Sequence, residues 1–280
     1  MPELHAVSLF GNTKEKATVR AVQKFAKLSS SANTFAHHPL NFDPARAPSG
    51  WDKADLAAKK KLLLSEPARR DVSKLYAKAL QGHTAKKGQP DAVVWYGHGE
   101  LVNLKTGEWL DAHPFDAKKD VPEFPPKDVV ATLAAGGDEP TPRALLTGID
   151  LMKHVGHMPK TLWMSLACYS CWEPSLALGV LKGGCKYFIG SRRSWMGVEA
   201  DQFLRPFIVG WAQADFAPDK VEATFAAAAK KAKGLALHLC LFTAADDALP
   251  PKKFKVLFGG PGGVPPEVKT LGVTASAVVA

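Results

Sequence analysis

Apolar positions along the chain fall into two patterns. Short, largely apolar runs occur at Ala92-Val93-Val94-Trp95-Tyr96-Gly97 and at Thr161-Leu162-Trp163-Met164-Ser165-Leu166-Ala167, with a third at Cys185-Lys186-Tyr187-Phe188-Ile189-Gly190. Runs of this length, bounded by Gly or polar residues, predict strands buried on both faces. His5-Ala6-Val7-Ser8-Leu9-Phe10 predicts a further strand, Thr34-Phe35-Ala36 a shorter one, and Leu239 to Phe242 an edge strand.

The second pattern is helical. Thr13 is placed to cap a helix reaching about Leu28, with Val19, Val22 and Phe25 on one face. Asp52 to about Leu80 is helical and is divided in two at Pro67. Further helices are expected at 128–135, 144–155, 174–181, 198–214 and 221–237. Leu101 to Leu110 reads as a hairpin turning near Lys105 to Gly107. Residues 41–50 read as loop, and 116–142 is rich in Pro, Gly and charge.

Apolar strands separated by helical segments predict an α/β protein with a parallel sheet covered on both faces. One domain is expected over 1–250, with 116–160 as an insertion or regulatory loop and 251–280 as an irregular tail. No internal repeat is present.

Two of the buried runs end in reactive residues. The first leads into His98 within Gly97-His98-Gly99, and the second into Cys168. Sites in parallel sheets form beyond the carboxyl ends of the strands, where both residues would lie. A thiol attacks a carbonyl as thiolate, and an imidazole can take its proton and later protonate a leaving amine. Glycines flanking His98 would let backbone approach closely and could offer an N–H to an oxyanion. The competing readings are a polar residue that ends a strand, for His98, and a small core residue, for Cys168.

Composition narrows the alternatives. The chain has 280 residues, of which 46% are hydrophobic and 22% charged, which supports a substantial core. The net charge of +9 is spread over short lysine runs such as Lys59-Lys60-Lys61 and Lys230-Lys231, without interleaved aromatics. That disfavours nucleic-acid binding relative to solvated helix faces. No window matches a membrane span, and the start lacks the form of a signal peptide, so a cytoplasmic protein is expected. A secreted effector without a signal would share this pattern.

The four cysteines, Cys168, Cys171, Cys185 and Cys240, read as free thiols. Cys168-Tyr169-Ser170-Cys171 also fits a redox Cys-x-x-Cys, but Trp172-Glu173-Pro174 follows where a long helix should open. Cys171 reads as a packed bystander.

An apolar strand ending in His-Gly, followed by a later one ending in Ala-Cys, resembles the caspase-like cysteine peptidases, a group that includes caspases, gingipains, legumains, separases and the bacterial CHAT proteases. Tyr96-Gly97-His98-Gly99 and Leu166-Ala167-Cys168 carry both halves of the motif. Leu178 to Ser191, then Ser194-Trp195 and an apolar helix ending Phe207-Ile208-Val209-Gly210-Trp211, continue the likeness to the CHAT type over about residues 90–245. The resemblance implies a three-layer sandwich with a mainly parallel central sheet flanked by helices. It implies a cysteine endopeptidase acting on a protein or peptide substrate, with Cys168 as nucleophile and His98 as general acid/base. The amides of Gly99 and Cys168 would be the oxyanion donors. No metal and no cofactor are implied, and an activating partner is compatible with it.

In such a fold Ser191-Arg192-Arg193-Ser194-Trp195 would help line the primary pocket. Arg192, Arg193 and Trp195 are the candidate substrate-binding residues, with the arginines suited to an acidic side chain. Two solvated loop arginines are the plain alternative, and Glu199 and Asp201 leave a pocket for basic side chains open. Two rival functions remain: a catalytically silent scaffold of the same fold, and a thiol oxidoreductase using Cys168 and Cys171.

Overall fold

The computed structural model describes residues 5–10, 34–39, 49–96, 98–110, 129–135, 144–154, 158–194, 197–232, 238–245, 253–259 and 267–272. The expected helix over 13–28, Trp195 and most of the loop over 41–50 lie outside these residues.

The chain forms a mixed α/β fold around an eight-stranded sheet. Strands β1 (His5–Phe10), β2 (Thr34–Pro39) and β3 (Ala92–Tyr96) pair in parallel, in the order β2-β1-β3. Between β2 and β3 come helices α1 (Leu56–Leu63) and α2 (Glu66–Lys87). Asp55 caps α1 by accepting the Ala58 N–H at 2.7 Å. The division expected at Pro67 occurs, with the proline in the first turn of α2, where its missing N–H costs nothing.

The chain then leaves the main sheet. Strands β4 (His98–Asn103), β5 (Glu108–Leu110), β6 (Val129–Ala135) and β7 (Ala144–Leu146) form a separate antiparallel sheet in the order β5-β4-β6-β7. The hairpin at 101–110 is present, with its turn between β4 and β5. The helix expected over 128–135 is a strand instead. Val129-Val130-Ala131-Thr132 is too short for its period to separate helix from strand, and pairing along β4, from Asn103 opposite Val129 to His98 opposite Ala134, decides the matter. The helix expected over 144–155 likewise begins as β7 and only then becomes α3 (Gly148–His154).

Thr147 and Asp150 start α3 reciprocally. Thr147 donates its N–H and hydroxyl to the Asp150 carboxylate at 2.9 and 2.7 Å, and the Asp150 N–H reaches back to the Thr147 hydroxyl at 3.3 Å. Arg69 on α2 adds an Nε to Asp150 Oδ2 at 3.0 Å, with the acid side chain 3% exposed. Replacing Asp150 by alanine removes the partner of a largely buried guanidinium and the cap together. We expect a loss of about 3 kcal/mol in a urea titration; an unchanged midpoint would show that this network carries no stability.

The second half returns to the main sheet. Strand β8 (Leu162–Ser165) pairs in parallel with β3, and β9 (Tyr187–Ser191) with β8, across helix α4 (Ser175–Lys182). Helices α5 (Gly197–Gln213) and α6 (Val221–Lys231) precede β10 (Leu239–Ala244). The edge position expected for β10 is overturned, because it pairs antiparallel with both β9 and β11 (Lys253–Phe258). Strand β12 (Glu267–Gly272) closes the sheet against β11. The irregular tail expected over 251–280 therefore contains two strands. Phe254 and Val256 are buried while Lys253 is exposed, an alternation that anchors β11 in the core.

Side chains alternate across the main sheet into two cores. Val93, Trp95, Trp163 and Phe188 pack with Tyr76 of α2 and Leu176 of α4. Val94, Met164 and Ile189 pack on the other face with Phe203 and Phe207 of α5 and Phe225 of α6. Burial on both faces is why these strands read as continuous apolar runs rather than alternating ones. Among the described residues no helix is long and apolar enough to cross a membrane.

Candidate active site

Register brings the two reactive residues to one place. Trp95 on β3 lies opposite Ser165 on β8, and the chain continues from the two strands to His98 and Cys168, each three residues further on. His98 is the first residue of β4, so it stands at the joint where the chain passes from one sheet to the other. It is half-buried, as is Cys168.

Gly99 shows how tightly the two segments meet. A Cβ at this position would overlap the Cys168 carbonyl oxygen and lie 2.9 Å from the Cys168 nitrogen. The backbone beside His98 therefore rests directly on the backbone of the thiol-bearing residue, and only glycine permits that approach.

The thiols differ sharply in setting. Cys168 is partly open, whereas Cys171, Cys185 and Cys240 are buried. Burial pushes the Cys185 thiol up to about 12. Burial, then the neighbouring Cys240 thiol, pushes Cys171 well above its ordinary value. Thiols held protonated in this way are poor nucleophiles. The Cys171 sulfur packs over Gly190 of β9, where a Cβ would come within 2.8 Å of it, and Gly190 is itself paired with Cys240.

The loop after Cys168 is held rigidly. Tyr169 adopts a left-handed backbone with φ +57°, an uncommon conformation for a residue with a Cβ. Its N–H donates to the Arg193 carbonyl at 3.1 Å, and the Cys171 N–H donates to the Ser191 carbonyl at 2.9 Å. Tyr169 and Trp172 meet edge to face with centroids 6.3 Å apart. Burial raises the Tyr169 phenol, helped by the charges of Cys168 and Glu100 and opposed by Arg193. Those four groups thus share one neighbourhood.

Glu173 anchors the far end of the loop. Its buried carboxylate accepts the Ala131 N–H of β6 at 2.9 Å and the Ser175 N–H of α4 at 2.6 Å, together with the Ser175 hydroxyl. Burial raises its pKa, and these hydrogen bonds oppose the rise. One side chain so ties the second sheet to the helix that follows the thiol. Sequence reasoning passed over it, although an acid just before Pro174-Ser175 at a helix start is a recognisable capping signal.

The expected pocket loop divides. Arg192 is buried at 6% exposure, with its N–H donating to the His238 carbonyl at 2.8 Å, so it is not the solvated arginine of the plain alternative. Arg193 is half-buried and donates an Nη1 to the Ser194 carbonyl at 3.2 Å. Ser194 reaches the site itself, its hydroxyl 3.2 Å from the Cys168 sulfur. The side chains of Glu199 and Asp201 lie outside the described residues. Glu100, which sequence reasoning did not single out, joins the site by strand alternation, two residues after His98 on β4.

No protein-family model matches the chain, and no curated protein matches it. The functional reading therefore stands on the residues and their placement.

Proposed function

We propose that this protein is a cysteine endopeptidase of the caspase-like type, with a three-layer caspase-like sandwich as its fold. Helices on both faces of a sheet whose central strands run parallel support the fold reading. The observation that carries the function is that the one partly open thiol among the four belongs to a residue whose backbone is abutted by Gly99, the neighbour of His98, just beyond the ends of the adjacent parallel strands β3 and β8.

In the proposed reaction His98 accepts the Cys168 proton and the thiolate attacks the substrate carbonyl carbon. The resulting oxyanion is received by the Gly99 and Cys168 amides. His98 then protonates the leaving amine, and water hydrolyses the thioester. Burial of Cys171 against Gly190 and beside Cys240 speaks against a Cys168–Cys171 redox couple, which needs a second accessible thiol. Arg193, beside Tyr169 and the thiol, supports an acidic residue on the acyl side of the cleaved bond.

The test is turnover of a fluorogenic peptide library with varied residues preceding the cleaved bond. Cleavage is expected, with preference for Asp or Glu at that position. Preference for Lys or Arg would move the pocket to an acidic lining. No cleavage, even with added cations, would favour a silent scaffold.

A further inference from the structure

The geometry points to Ser194 as a positioning residue that holds the Cys168 sulfur and stabilises its thiolate by donating a hydroxyl hydrogen bond to it. The inference rests on the reading of Cys168 as nucleophile. Its first support is the 3.2 Å separation of the Ser194 hydroxyl and the Cys168 sulfur, two half-buried groups far apart in the chain.

Its second support is that the contact is imposed by backbone. The loop carrying Ser194 is stitched to the loop carrying Cys168 by the Tyr169 N–H on the Arg193 carbonyl at 3.1 Å and by the Cys171 N–H on the Ser191 carbonyl at 2.9 Å. On its other side the Arg192 N–H is tied to the His238 carbonyl at 2.8 Å, and the Arg193 N–H to the Ser191 hydroxyl at 3.2 Å. Four bonds thus set where the hydroxyl stands, so little conformational freedom is lost in making the fifth. A neutral thiol gains little from such a contact. A thiolate gains more, because a hydrogen bond to a charged group is stronger than one between neutral groups.

Among the described residues, the charged and titratable groups on the segments that meet here are His98 and Glu100 on β4, Tyr169 on the thiol's own loop, where Glu100 and Cys168 act on its phenol, and Arg193 on the facing loop. Ser194→Ala leaves all of them in place and removes only the hydroxyl. Ser194→Thr keeps the hydroxyl.

The test is the pH dependence of Cys168 alkylation by iodoacetamide in the full chain, with the modified residue identified by mass spectrometry. In Ser194→Ala the midpoint for alkylation should rise by about 1 unit, with the melting temperature little changed. Ser194→Thr should restore the wild-type midpoint. An unmoved or lowered midpoint in Ser194→Ala, or a threonine variant that behaves like alanine, overturns the inference. Alkylation does not require peptide turnover. A shifted midpoint in a protein that cleaves no peptide would leave this inference standing and defeat the peptidase reading; cleavage with an unmoved midpoint would do the reverse.

Discussion

Gly99→Ala is expected to reduce peptide kcat/KM by at least about 100-fold and to lower the melting temperature. The added methyl would fall on the Cys168 carbonyl oxygen, which is backbone and cannot swing aside as a side chain would. Either β4 or the thiol loop must move. Overpacking of this sort costs about 1–3 kcal/mol or more in stability. The loop has little room to yield, since its N–H groups are committed to Arg193 and Ser191 and its far end to Glu173. A displacement of about 1 Å in reacting groups is itself worth about 100-fold in rate. Wild-type turnover in Gly99→Ala would mean that the contact between the two segments is incidental, and would remove the main geometric support for the dyad.

Cys168→Ala and His98→Ala are expected to lose more activity with less structural damage. Loss of the nucleophile leaves no acyl-enzyme route, and we expect turnover to fall by about 1000-fold or more. Loss of a general acid/base costs about 100- to 10,000-fold. If both residues serve one step, as proposed, the double variant should be hardly worse than the poorer single variant; groups that act as a unit are strongly non-additive. Both side chains are half-buried, and Cys168 only packs against the margin of one core, so circular dichroism and melting should stay close to wild type. Multiplicative losses in the double variant would argue that the two residues act independently. Full activity in His98→Ala would require another base.

The two large effects have different physical origins. In the dyad variants chemistry is removed from an intact frame. In Gly99→Ala the chemistry is retained and the frame is shifted. Measuring thiol alkylation beside peptide turnover separates them, since Gly99→Ala keeps a reactive thiol and Cys168→Ala has none at that position.

Much of the main sheet was legible from the chain alone. The runs at 92–96 and 162–164 are apolar at every position because both faces are covered, and such runs announce themselves without alternation. The division of one helix at Pro67 and the start of another near Pro174 were legible from proline chemistry, whereas the cap at Asp55 was not read. His98 and Cys168 were legible as strand-end residues with reactive groups. Which strands were adjacent was not. That depends on pairing between segments some seventy residues apart, and the register of Trp95 with Ser165 brings the segments that carry the two residues together.

Pairing also decided the identity of ambiguous segments. Val129–Ala135 has no strong period of its own, and β4 made it a strand. Lys253–Phe258 looked irregular beside its Pro- and Gly-rich surroundings until β10 gave its backbone a partner. Glu100, Glu173 and Ser194 joined the site for the same reason. Each is an ordinary polar residue in sequence, and each meets a partner from strands or loops distant in the chain: Ala131 for Glu173, Cys168 for Ser194 and Tyr169 for Glu100. Local chemistry thus marked which residues could react and where one helix divides at a proline. Tertiary contact decided which of them meet, because the hydrogen bonds and close backbone approaches involved join segments that the chain order keeps apart.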